Sequence, residues 1–292
     1  LLRYSSFTLM YSGWDAKSKS ITDALNRLSL AARDCVFVDD NPHECAEVLS
    51  VHKDIQLIDF RGDLTALIRN LNIRLNSGTQ ITVEDRNRAG MYAARLSREA
   101  ELTNAQDKVS WLQSLNTKVE ISSQSAYNLD PRVVQLFQRS NQFNQNGRKI
   151  DEHYIVDLLA DDYECFISSL EDRHGSEGTI FSCIYKRNSY SIVIEDLCMS
   201  CRVLGRSVEL VTLLALMQEA KACALYVNYR DTQRNGRFKD FVKTYMVIDH
   251  DKSIHHEYQY QLIELDRQKM LDSITTLPTI VFCGNVITLE GS

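Results

Sequence analysis

The apolar run Cys35-Val36-Phe37-Val38 ends directly in Asp39-Asp40 and then in Asn41-Pro42. A short, wholly apolar run suits a strand buried in a parallel sheet, and Asn-Pro suits the start of a helix. The neighbouring sequence repeats the alternation. Phe7-Thr8-Leu9-Met10-Tyr11 reads as a strand, and Ser18 to Leu30 as a helix with Ile21, Leu25 and Leu28 on one face. Ser20 and Asp23 give that helix a capping-box start. Ile55-Gln56-Leu57-Ile58 makes a further strand. Strand, helix, strand, helix predicts a parallel sheet, with ligands bound at the carboxyl ends of its strands.

Composition narrows the class of protein. The chain has 292 residues, 44% of them hydrophobic, a net charge of −6, and only 3 Pro and 11 Gly, so a folded protein of two domains is expected. Its clean apolar runs, such as Leu213 to Met217, are far too short for a membrane span. The acidic balance and the lack of a basic stripe argue against nucleic acid as partner. Eight cysteines scattered through apolar stretches, with no signal peptide, predict free thiols and a cytoplasmic location. Cys198-Met-Ser-Cys201 is a single CxxC with no second pair at zinc-site spacing.

The pattern changes after about residue 77. Thr82-Val83-Glu84-Asp85 opens a long charged helix, too polar all round for core, which we read as a connector over 78–112. Beyond it come a strand (118–121), a helix opened by Asp130-Pro131, a polar stretch 141–147 and another short helix. Three strands follow (164–169, 179–185, 189–196), then a long helix (208–222), a strand (224–229) and a helix around Phe238. Late strands fall near 245–248 and 257–262, and the tail 264–292 holds a helix near 266–271 and a strand near 280–283.

Two constellations carry chemistry. Two carboxylates at a strand's carboxyl end form a hard-oxygen site suited to Mg2+, which binds one or two carboxylates, water and phosphate. Lys17, at the end of the preceding βα segment, could reach the same crevice and balance phosphate charge. The bland alternative is an acidic pair capping a helix beside a solvated lysine. The second constellation is Arg202-x-x-Gly205-Arg206-Ser207, between a strand and a long helix, where backbone amides and a helix N-terminus suit phosphate. Ser207 as a simple helix cap is the competing explanation.

Trp14 to Ile21 and Val36 to Glu44 resemble the third and fourth motifs of haloacid-dehalogenase-type phosphatases, and more narrowly the FkbH-like family. Residues 82–100, Arg139-Ser-Asn-Gln-Phe-Asn144 and Leu197 to Glu209 resemble the same family in order and spacing, so the likeness runs from Leu1 to about residue 250. It implies an α/β fold: the C-terminal part of a haloacid-dehalogenase-type, Rossmann-like parallel sheet (1–77), then a GNAT-like α+β domain (113–263). Lys17 would steady a phosphorylated intermediate, and Asp39 and Asp40 would hold Mg2+. The implied activity moves a glyceryl unit from 1,3-bisphosphoglycerate, a phosphorylated three-carbon substrate, to an acyl carrier protein thiol with release of phosphate. The family's nucleophilic Asp-x-Asp-x-Thr motif lies upstream of the Lys motif. An N-terminally truncated chain is therefore expected, with activity belonging to the full-length protein.

The loop 202–207 also resembles the Arg/Gln-x-x-Gly-x-Gly/Ala loop of GCN5-related N-acetyltransferases, with Ser207 at the last small position. That implies a pantetheine arm held by Arg202, Gly205, Arg206 and Ser207, with Arg230, Arg234 and Arg237 completing a basic rim for an acidic carrier protein. Asn141, Gln142 and Asn144 would line a cleft, although an Asn-rich turn explains them locally. Asp172 to Gly178 resembles a hairpin of the family, and His250, His255 and His256 read as solvated. Two alternatives stand beside the glyceryl reading: a GNAT-type acyltransferase using acyl-CoA, and a non-catalytic carrier-protein docking module.

Overall fold

A computed structural model describes residues 7–28, 30–75, 83–247, 261–274 and 278–289. The chain divides into two compact units, Leu1–Leu96 and Ser97–Ser292.

In the first unit α1 (Lys17–Leu28) leads to β1 (Val36–Asp39), α2 (Pro42–Val51), β2 (Gln56–Asp59) and α3 (Leu64–Leu75). β1 and β2 pair in parallel, Val36 opposite Gln56 through Asp39 opposite Asp59, as the alternation predicts. Asn41 caps α2 by accepting from the His43 amide, with Pro42 in the first turn. Three expectations fail here. Residues 7–11 form no strand, and Phe7, Met10 and Tyr11 are exposed. α1 starts at Lys17, before the expected capping box, because Glu47 of α2 takes the Ser18 amide (3.1 Å) and hydroxyl instead. β1 is less buried than its sequence suggests: Val38 is 37% exposed in a sheet of two strands.

α4 (Val83–Asn104) spans the division between the units. Its polar composition hides a buried stripe of Met91, Ala94 and Arg98, so it is not a solvated connector throughout.

The second unit is built on a mixed sheet of nine strands. After α5 (Lys108–Ser114) come β3 (Lys118–Gln124), α6 (Pro131–Arg139), α7 (Glu152–Ala160), β4 (Tyr163–Asp172), β5 (Gly175–Arg187) and β6 (Ser191–Met199). Then follow α8 (Val208–Glu219), β7 (Ala224–Tyr229), α9 (Gly236–Tyr245), β8 (Met246–Val247), β9 (Gln261–Leu265), α10 (Arg267–Asp272), β10 (Thr279–Phe282) and β11 (Asn285–Ile287). The spatial order is β11-β10-β3-β4-β5-β6-β7-β9-β8. β3 to β6 form an antiparallel meander, whereas β6 pairs with β7 in parallel through α8. The sheet runs past residue 263, where the sequence suggests that the domain ends, since β10 lies beside β3.

Alternation along the strands sorts the core into two faces. Cys165, Ile167, Ile184 and Cys198 pack with Val133, Phe137 and Ile155 of α6 and α7. Phe166, Leu170, Phe181 and Cys183 pack with α8, α9 and α10. Every residue of α8 from Leu210 to Met217 is buried, which accounts for a helix apolar all round.

Candidate functional site

The first cluster stands at the carboxyl end of β1. The fold brings Lys17, the first residue of α1, to Asp39, with Nζ 2.5 Å from Oδ2. Asp39 Oδ1 accepts from the Asn41 amide at 2.9 Å. Burial alone would raise the Asp39 carboxyl, but the Lys17 hydrogen bond and the Asn41 and Asp40 amides outweigh it and hold it below the ordinary range. Lys17 is raised, chiefly by its hydrogen bond to Asp39. Asp40 is exposed next to them. The cluster therefore unites the three residues that the sequence picks out. Among the described residues no group of three or more His, Cys, Asp or Glu could hold a metal ion. The donors fit a hydrated magnesium ion to that extent only: Asp39 and Asp40 supply hard oxygens, and water and phosphate would complete the shell.

The second cluster departs from expectation. Arg206 does not face an open anion site. It is buried, with Nη2 2.7 Å from Asp172 Oδ2 and 2.9 Å from Thr117 Oγ1. Arg202 turns to Ser200 Oγ (3.1 Å) and to the Glu177 carbonyl (3.2 Å). Asp172 and Glu177 belong to the β4–β5 hairpin, and Arg98 of α4 forks onto Asp172 (2.7 and 2.9 Å) and reaches Glu177. The arginines of the loop are thus committed to a buried ion-pair network. Arg230, Arg234 and Arg237 are exposed, so the expected basic rim splits.

Gly205 takes φ +80°, a conformation that favours glycine, and Lys108 Nζ lies 3.6 Å from where a Cβ would stand. Lys108 is a cation that no local motif announces. Ser207 stands at the N-cap of α8 in a left-handed conformation, φ +56°, yet its side chain makes no capping bond, contrary to the simple explanation. Two residues on, in the first turn of α8, Glu209 Oε2 is buried without a hydrogen-bond partner, and burial pushes that carboxyl up to about 7.

The third cluster is the polar stretch between α6 and α7, where the cleft residues of the sequence reading serve structure. Asn141 Oδ1 accepts from Lys149 Nζ at 2.8 Å, and the Gln142 carbonyl accepts the first-turn amide of Phe238 in α9 at 3.0 Å. Asn144 Oδ1 accepts from the amides of Asn146 (3.2 Å) and Gly147 (2.7 Å), the self-closing turn typical of Asn. Beneath it lies a network that sequence reasoning missed. Asp196 of β6 is fully buried and accepts from Asn146 Nδ2 (2.9 Å), Tyr154 Oη (2.8 Å) and Arg148 Nη1 (3.2 Å). Burial raises its carboxyl to about 6, against the pull of Arg148.

His250, His255, His256 and residues 257–260 of the expected late strand lie outside the described residues. The described cysteines are all free, and the CxxC pair holds a buried Cys198 and a half-buried Cys201. No described helix is long and apolar enough to cross a membrane.

Neither a family model nor a curated protein matches the chain. Solved structures do. The "IAA acetyltransferase" of Bacillus cereus is 10% identical with a TM-score of 0.32, covering 50% of this chain and 95% of its own. The ribosomal-protein-S18-alanine N-acetyltransferase of Escherichia coli is 10% identical with a TM-score of 0.33, covering 50% and 91%. Malonyl-CoA decarboxylase of Rhodopseudomonas palustris is 10% identical with a TM-score of 0.32, covering 89% and 65%. The chain itself has a mixed α/β fold with a large sheet.

Proposed function

We propose that this chain serves acyl transfer from a phosphate-bearing donor, with the donor's phosphate handled at the carboxyl end of β1. The observation that carries this reading is the approach of Lys17 to Asp39, with Asp40 beside them, at the end of a parallel strand. A cation and two carboxylates there can neutralise and orient a phosphoryl group. When bound, Mg2+ on Asp39 and Asp40 supplies further neutralisation of phosphate charge. Lys17 holds Asp39 ionised and presents its ammonium to the phosphate oxygens.

With 1,3-bisphosphoglycerate as donor and a pantetheine thiolate of an acyl carrier protein as acceptor, sulfur attacks the acyl carbon. The carbon–oxygen bond to phosphate breaks, inorganic phosphate leaves, and a thioester forms. Water then cleaves the remaining phosphate ester to give the glyceryl thioester and a second phosphate. The full-length protein incubated with that donor, Mg2+ and holo carrier protein is expected to release phosphate and to shift the carrier's mass by a glyceryl group. Lys17→Met is expected to abolish both. Phosphate release unchanged in Lys17→Met refutes the role of this cluster.

A GNAT-type acyltransferase using acyl-CoA is the second reading. It is favoured by the element order around the parallel β6–β7 pair. Consumption of acetyl-CoA in the absence of any phosphorylated donor would select it.

A further inference from the structure

β6 and β7 pair only from Ser191–Ala224 to Ile194–Val227. Beyond that point β6 runs on to Met199 and β7 to Tyr229 without bonding to each other. Parting strands leave backbone groups that need partners. An extended, amide-bearing pantetheine arm is a chemically suitable partner, since it can add along a strand edge as a peptide does.

In this chain those groups already have partners. The Met199 amide donates to the Phe143 carbonyl (2.9 Å), and the Gln145 amide donates to Leu197 O (3.2 Å). From β7's end, the Arg230 amide donates to Gln145 O (3.2 Å). Gln145 Nε2 then spans the gap, donating to Glu195 O of β6 (2.5 Å) and Asn228 O of β7 (3.1 Å).

Two side chains lock the segment. Phe143 emerges on the α8–α9 face, its ring edge-on to Phe238 (5.1 Å) and Phe241 (5.5 Å). Asn235, fully buried, donates through Nδ2 to the carbonyls of Asn144 (3.1 Å), Gln145 (3.3 Å) and Arg230 (2.9 Å).

We infer that residues Phe143–Gln145 act as a built-in strand that closes the gap between β6 and β7, so that coenzyme A or an acyl-CoA cannot thread there. The closure is part of the hydrophobic core rather than a surface flap, because the ring of Phe143 and the amide of Gln145 are both buried. This inference rests on the GNAT-like order of the second unit and not on the chemistry assigned to Lys17. The phosphate-release assay and the test below therefore fail independently.

The test titrates the full chain with coenzyme A and with acetyl-CoA by calorimetry, and follows hydrogen exchange at the Met199, Gln145 and Arg230 amides. We expect no saturable heat up to millimolar ligand and strong protection of the three amides with or without it. Saturable binding that leaves the protection unchanged places the ligand elsewhere and keeps the closure. Binding that speeds exchange at these amides by about tenfold or more overturns it, as do amides that lack protection in the free protein. Gln145→Ala, which shortens the bridge but leaves Phe143 in the core, is a second probe. No gain of coenzyme A binding is expected, because the backbone bonds remain. A gain would show that Gln145 alone bars entry and would overturn closure by the segment.

Discussion

Replacing Arg98 by Met tests whether the buried ion-pair network, rather than a ligand, is what the loop arginines serve. Arg98 forks onto Asp172 and reaches Glu177, and the three side chains are 7%, 0% and 3% exposed. Taking one partner from a buried pair strands charge and costs about 3–5 kcal/mol. Here Arg206 stays 2.7 Å from Asp172, and Arg202 stays 3.9 Å from Glu177, so the loss falls at the lower end, about 3 kcal/mol. Urea unfolding at neutral pH measures it, with an unchanged slope as the sign that only the folded state has altered.

The pH dependence sharpens the test. Burial would raise the Asp172 carboxyl, but Arg98, the His174 amide and Arg206 more than offset it and hold it low. A depressed folded value contributes stability above the ordinary carboxylate range and loses it as pH falls through that lower value. With Arg98 gone the carboxyl protonates more readily, so the deficit of the Met variant shrinks as the solution is acidified. Arg98→Lys keeps the charge without the fork and should fall between the two. A loss below about 1 kcal/mol, or a deficit that does not shrink toward acid, refutes the reasoning.

Asp196, raised to about 6 chiefly by burial, costs the fold stability as pH rises from the ordinary carboxylate value toward 6, on the order of 3 kcal/mol over that interval. Asp196→Asn should flatten the stability profile between pH 4 and 6 whatever its absolute effect, and a retained slope assigns the titration to another group. Asn235→Ala removes a donor shared by three backbone carbonyls, two of them buried, and should cost about 2–3 kcal/mol in urea unfolding, whereas a change near zero would mean that water replaces the amide without loss. In native protein Cys223 and Cys283 should react first with a thiol reagent, being exposed, and Cys183 only on unfolding; rapid labelling of Cys183 contradicts its burial.

Local sequence carries the elements well where their signals are themselves local. β7 occupies the predicted residues 224–229, and Asp130 caps α6 ahead of Pro131 as the dipeptide implies. Lys17 does reach Asp39, but not by the expected crossover between parallel strands, since residues 7–11 form no strand. The chemistry of the 202–207 loop was not foreseeable. Its arginines look free in sequence because their acids sit in a hairpin near residues 172–177 and their companion, Arg98, lies 74 positions before Asp172. The same distance hides the buried stripe of α4, whose polar face includes an arginine made acceptable to the interior by Asp172 and Glu177. The failed strand at 7–11 has the opposite cause: its apolar residues suggest burial, but among the described residues no sheet partner takes them up.

The pairing of β10 with β3 has a consequence for synthesis on the ribosome. Ser123 and Cys283, which meet along that seam, lie 160 positions apart. β3 emerges early and has one edge matched promptly by β4, whereas its other edge must wait for Thr279–Phe282. At about 5–20 residues per second, that interval lasts of the order of ten seconds or more. During it the nascent sheet shows an unpaired border to every neighbouring polypeptide, and chaperone demand and yield on overexpression should track the arrival of this last parallel strand.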